Sequence, residues 1–143
     1  MPLIQLTTPT GALTSQGRKT IQHTLAQLVM RWQGLPDNAV FRSSTWSYLN
    51  ELPAGAQTTA EDDQPRFRVD VTVQEGALPD NHKEGLIRDA TSAVLQAAGL
   101  TDNDALRVWV FIHEQPGGTW GSGGNVVRLA DISALAKANP ADA

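Results

Sequence analysis

Apolar positions along this chain follow two periods in turn, period two and period 3.6, and the switches between them mark out strands and helices. Leu3, Ile4 and Leu6, followed by Thr7 and Thr8, predict a short strand that ends at the turn residues Pro9, Thr10 and Gly11. Thr14 or Ser15 caps the helix that follows. In it Ile21, Leu25, Leu28, Val29 and Trp32 share one face, while Arg18, Lys19, Gln22 and Gln33 stay in water, until Gly34 and Pro36 stop it. Residues 41–50, rich in aromatic and β-branched side chains, predict a second strand where a β-α-β crossover would return. Residues 52–65 are polar and interrupted by Pro53, Gly55 and Pro65, which reads as a linker.

The pattern then starts again. Strict alternation over residues 67–73 places Phe67, Val69, Val71 and Val73 on one face of a strand. A helix from about Asp80 buries Leu86, Ile87, Ala90, Ala93, Val94 and Ala97, with Gly99 as its C-cap. Residues 106–113 form a nearly continuous apolar run, as expected of a strand covered on both faces. A glycine-rich loop at 114–124 carries a single large aromatic, Trp120. Val126 to Leu135 predicts a short strand or helical turn, and residues 139–143 a frayed end.

The two halves repeat each other. Gly11, Ala12 and Leu13 recur 65 residues later as Gly76, Ala77 and Leu78, and Trp46, Glu51 and Gly55 recur 63 residues later as Trp109, Glu114 and Gly118. Residues 1–143 therefore make a single α+β domain of two tandem β-α-β units, 1–60 and 66–135, forming a four-stranded sheet with two helices on one face. A ferredoxin-like fold has the same order of elements, so order alone does not choose between them.

Composition narrows the chemistry. A chain of 143 residues suits one compact core, and the absence of cysteine excludes disulfides, thiolate catalysis and cysteine metal sites. His23, His82 and His113 are scattered without metal-ligand spacing, so no metal or other cofactor is expected. A net charge of −4, with no Lys/Arg run, argues against nucleic acid as a partner. No window is apolar for the roughly 18 residues of a membrane span, and no basic-then-apolar leader opens the chain. The expectation is a soluble, cytoplasmic protein. The glycine-rich loop lacks the Lys-Ser/Thr ending of a phosphate cradle.

Met1-Pro2-Leu3-Ile4 opens the first strand with a proline; loss of Met1 would leave Pro2 as a free secondary amine. This opening, together with Glu114-Gln115-Pro116-Gly117-Gly118-Thr119-Trp120-Gly121-Ser122-Gly123-Gly124, resembles the tautomerase superfamily, in particular a fused two-unit member of the 4-oxalocrotonate tautomerase type. The resemblance implies a catalytic amino-terminal proline, with Trp120 as the loop aromatic that keeps it unprotonated. Phe67 stands where a second proline would be. An α-amino group has a pKa of about 8, lowered by apolar surroundings, so near neutrality Pro2 could act as general base on a small carboxylic acid in enol or keto form.

The chain departs from the family in its cations. Ala12 and Ala77 stand where an arginine would follow the first strand of each unit, and Trp46 and Trp109 where a second arginine would lie. A dicarboxylate substrate becomes less suitable, and a smaller or more aromatic one, such as an aryl-substituted 2-oxo acid, more so. Trp46 and Trp109 are candidate site walls, and equally core or interface residues. Arg42 and Arg107, each sharing the face of the following Trp if the strands are regular, are the substitute anion binders, with Arg128 and Arg68 behind them. Two other readings accompany the tautomerase. One is chemistry resembling malonate semialdehyde decarboxylase or a dehalogenase, with Asp37 or Glu114 activating water; the other is an inactive binding module. The resemblance also implies a homotrimer with sites between subunits.

Overall fold

The computed structural model describes residues 1–143. Strand β1 (Leu3–Pro9) leads into helix α1 (Ser15–Gln33), a short helix α2 (Ala39–Ser43) and strand β2 (Trp46–Leu52). Strand β3 (Phe67–Gln74), helix α3 (Asp80–Ala97), a 3-10 turn over Asp102–Arg107 and strand β4 (Val108–Gln115) repeat the plan. A two-residue hairpin, β5 (Gly121–Ser122) and β6 (Asn125–Val126), and helix α4 (Leu129–Ala138) complete the chain. The sheet order is β2-β1-β3-β4, parallel within each unit and antiparallel between β1 and β3 at the centre. No helix is long and apolar enough to cross a membrane.

One sheet face is dry. Ile4 and Leu6 of β1 and Phe67, Val69, Val71 and Val73 of β3 point towards α1 and α3, where Ile21, Leu25, Val29, Leu86, Ala90 and Val94 meet them in one core. Full burial of each such aliphatic side chain is worth roughly 1.5–3 kcal/mol. Close helix approach depends on two glycines. A Cβ on Gly17 would lie 2.0 Å from the carbonyl oxygen of Ala97, and one on Gly85 would lie 2.2 Å from the Trp32 ring.

The repeat extends to hydrogen bonds and ion pairs. Thr10 N–H donates to the Leu52 carbonyl and Glu75 N–H to that of Gln115, both at 2.9 Å. Arg18 pairs with Glu51, and Lys83 with Glu114, so each unit's helix is clasped to the end of its second strand. Gly11 and Gly76, at φ 80° and 84°, turn the chain out of β1 and β3 in the left-handed region that a side chain would strain.

Several expectations change. The predicted strand over 41–50 begins only at Trp46, because Asn38 caps α2: its side chain accepts from the Phe41 N–H at 3.1 Å, and Phe41 turns inward to Met30 and Ile132. The apolar run at 106–113 is an edge strand with one bare face, where Trp109 is 67% and Phe111 38% exposed. Ile87 is 40% exposed, its expected place on α3 being taken by Gly85 and Leu95. The chain end is tied down: Asn38 Nδ2 donates to the carbonyls of Asn139 at 2.8 Å and Pro140 at 3.1 Å.

Replacing Gly17 with alanine drives a methyl group into a backbone carbonyl that cannot swing away. The expected loss is about 2–3 kcal/mol of unfolding free energy in urea titration, whereas the same change at exposed Gly117, with nothing within 4 Å, should cost far less. Equal losses at the two positions would refute the close-approach account.

Candidate active site

Pro2 is buried at the threshold of β1. A proline fits the first place of a strand because its missing N–H removes no ladder bond, while its carbonyl accepts from Trp46 N–H at 3.1 Å and so fixes the start of β2 beside it. Met1, Pro2 and Leu3 form one side of a cavity of about 470 Å³. Ser44 and Trp46, from the junction of α2 and β2, form a second side, and residues 120–123 form the third. Trp46 is steadied by its ring N–H, which donates to the Ser43 carbonyl at 3.2 Å.

Local chemistry explains why Trp120 is available. Gly123 and Gly124 have φ of 60° and 83°, which suits the two-residue turn of the β5–β6 hairpin. The Val127 N–H donates to the Trp120 carbonyl at 2.8 Å and closes the hairpin base, leaving the indole at the cavity. No ionisable side chain lines the site. Burial lowers the α-amino group of Met1 from 8.0 to about 6, so that amine is largely uncharged at neutral pH.

The structure brings together Pro2, Trp46 and Trp120 and separates the arginines from them. Arg42 lies on α2, not on a strand, so the shared-face argument fails for it. Its guanidinium donates to Asp37 at 2.6 Å and Asp142 at 2.8 Å, and these hydrogen bonds raise its pKa. Arg107 ends the 3-10 turn and, with Trp109 and Arg68, lines a different cavity. Arg128 precedes α4, its guanidinium close to Gly118. Glu114 is engaged by Lys83. No group of three His, Asp or Glu side chains converges to hold a metal ion. Ser44 and Ser122 are the polar side chains that the sequence did not single out. Ser44 becomes visible only once α2 is recognised; its hydroxyl donates to the Val40 carbonyl at 2.9 Å.

Residues 68–130 match the Tautomerase family model, described as tautomerase enzyme. A fused 4-OT in a symmetric trimer superposes with a TM-score of 0.71 at 20% identity, covering 96% of this chain and 99% of its own. The whole chain has the tautomerase fold, and its second unit matches the family's model. Other solved structures share this tautomerase fold. N1, a member of the cis-3-chloroacrylic acid dehalogenase family, has a TM-score of 0.71 at 21% identity over 87% of this chain and 82% of its own. Macrophage migration inhibitory factor from Oncomelania hupensis has a TM-score of 0.72 at 14% identity over 96% of this chain and 92% of its own. No curated protein matches this chain in sequence.

In the chain that retains Met1, the α-amino group binds a proton less tightly when folded than when unfolded. Between pH 6 and pH 8 the unfolded chain carries the extra proton, so stability contributed by this group rises with pH across that window and is flat beyond it. Reaction of the α-amino group with an acylating reagent, followed by mass spectrometry across pH, should show a midpoint near 6. A midpoint at the ordinary value of about 8 would mean that the amine is solvated.

Proposed function

We propose that the chain is a cofactor-independent tautomerase in which Pro2, freed by removal of Met1, is the general base on a small 2-oxo acid. The observation that carries this reading is the cavity itself: the proline, two indoles and no fixed charge share one space. A neutral Pro2 nitrogen accepts the enol hydroxyl proton. The oxygen lone pair closes to the carbonyl, the carbon–carbon double bond takes a proton at its far carbon, and the proline ammonium supplies that proton. The amine is restored, and neither oxidant nor metal takes part.

The same lining favours an aryl-substituted substrate. Trp46 and Trp120 offer faces for a ring, and the hydroxyl of Ser122 offers a weak donor for a carboxylate in place of the arginines. Hydratase or decarboxylase chemistry would need a carboxylate to activate water. Asp37 and Glu114 do not serve, since they are held by Arg42 and Lys83 outside the cavity.

The bare sheet face supports a trimer, the assembly in which the fused 4-OT neighbours were solved. Tyr48 and Phe111 flank a polar centre on that face. There Asp70 accepts from Arg68 and lies 2.7 Å from His113 Nε2. Trp46 and Trp109 occupy diagonal corners, each beside a cavity. Native mass spectrometry should give three chains, and Phe111→Glu should shift the population to single chains.

Ketonisation of phenylenolpyruvate tests the chemistry. Pro2→Ala should lower kcat by about 10² to 10⁴, the range of general acid–base catalysis, and the intact mass of the active protein should lack one methionine residue. Turnover unchanged by Pro2→Ala, or no turnover by a chain that has lost Met1, would sink the reading.

A further inference from the structure

The internal repeat generates a second cavity, of about 580 Å³, that matches the first position by position. Met1, Pro2 and Leu3 correspond to Arg66, Phe67 and Arg68, 65 residues on. Ser44 and Trp46 correspond to Arg107 and Trp109, and residues 120–123 to residues 57–60, each at a spacing of 63. The chemistry is reversed between them. The first cavity holds an amine and no guanidinium. The second holds three guanidiniums, from Arg66, Arg68 and Arg107, and no carboxylate among its lining residues.

Two of these arginines are held in place with donors left over. Arg107, whose side chain is only 18% exposed, donates from Nε to the Pro65 carbonyl at 3.0 Å and from Nη1 to Asp104 at 3.2 Å, leaving Nη2 without a partner in the chain. Arg66 donates from Nη1 to the Gln64 carbonyl at 2.9 Å and from Nη2 to Asp62, leaving Nε. Its backbone is fixed as well: its N–H donates to Gln57 Oε1 at 2.8 Å, and its carbonyl accepts from Thr8 at 3.1 Å. Asp62, kept ionised by the Gln64 N–H and by these cations, anchors Arg66 from outside the lining. The rest of the cavity suits a ring. Phe67 is buried in its wall, and Trp109 and Leu106 are exposed along it.

We propose that this second cavity binds a small arylcarboxylate, the carboxylate on Arg66 and Arg107 and the ring against Trp109, and holds it without turnover. Guanidiniums recognise carboxylates through paired, charge-assisted hydrogen bonds. Turnover is absent because the nitrogen equivalent to that of Pro2 is the peptide nitrogen of Phe67, which has no basicity. The site does not depend on whether Pro2 is catalytic.

Phenylacetate and its neutral isostere phenylacetamide test this on the full chain, through the indole N–H signals of ¹⁵N-labelled protein. Phenylacetate should shift the Trp109 signal, equally in the wild type and in Pro2→Ala, and phenylacetamide should bind there about tenfold or more weakly. Arg66→Gln should weaken phenylacetate by a similar factor and leave phenylacetamide unchanged. A Trp109 signal that stays still while that of Trp120 moves would overturn the proposal. So would equal affinity for acid and amide, a comparison that needs no variant to fold.

Discussion

The antiparallel pairing of β1 with β3, which sets Leu3 opposite Thr72 and Thr7 opposite Arg68, determines where everything else can stand. Each of these strands has a parallel partner, β2 and β4, so each unit's second strand ends at the far side of the sheet from its own beginning. The chain leaving β4 therefore arrives at the start of β1, and the chain leaving β2 at the start of β3. Trp120 reaches Pro2, and residues 57–60 reach Phe67, for this one reason. Neither cavity belongs to a single unit. A register slip of one residue would turn Ile4, Leu6, Val69 and Val71 out of the core and dissolve both sites together.

Within that frame the two units have kept their mechanics and changed their chemistry. The left-handed glycines that follow β1 and β3, the backbone bonds across the end of each parallel pair, and a cation from the helix to a glutamate on the second strand all occur twice. These contacts hold a helix to a strand end, and they tolerate arginine in one unit and lysine in the other. The cavity linings tolerate much more. Small or uncharged residues of the first, Ser44 and Leu3, face arginines in the second, because a lining side chain is constrained by what it meets in the cavity rather than by the sheet.

Most of the fold was legible because it rests on periodicity. The alternation at Phe67, Val69, Val71 and Val73 and the stripe at Ile21, Leu25 and Val29 are both buried as read, and the repeat gave the strand pairs. The failures share a cause. Phe41 and the residues around it have strand composition, but one side-chain hydrogen bond from Asn38 starts a helix there. Trp109 and Phe111 look like core and are exposed, since composition does not tell a covered face from a bare one. Of the site, Pro2 and Trp120 could be named from the sequence, and the structure sets them in one cavity. Arg42 could not be placed, because its partner Asp142 is a hundred residues away.

Phe67 marks the point where the two halves cease to be equivalent. A polypeptide has a single amino terminus, so joining two like units converts the second unit's terminal nitrogen from an amine to an amide by connectivity alone, whatever residue is placed there. The approximate twofold relation between the units is broken at that one atom. In any assembly of such chains the number of terminal amines equals the number of chains and is half the number of cavities. Every second cavity is thereby relieved of the need to stay dry around an amine, and cations such as Arg66 and Arg107 can settle there, out of reach of the amine in the first.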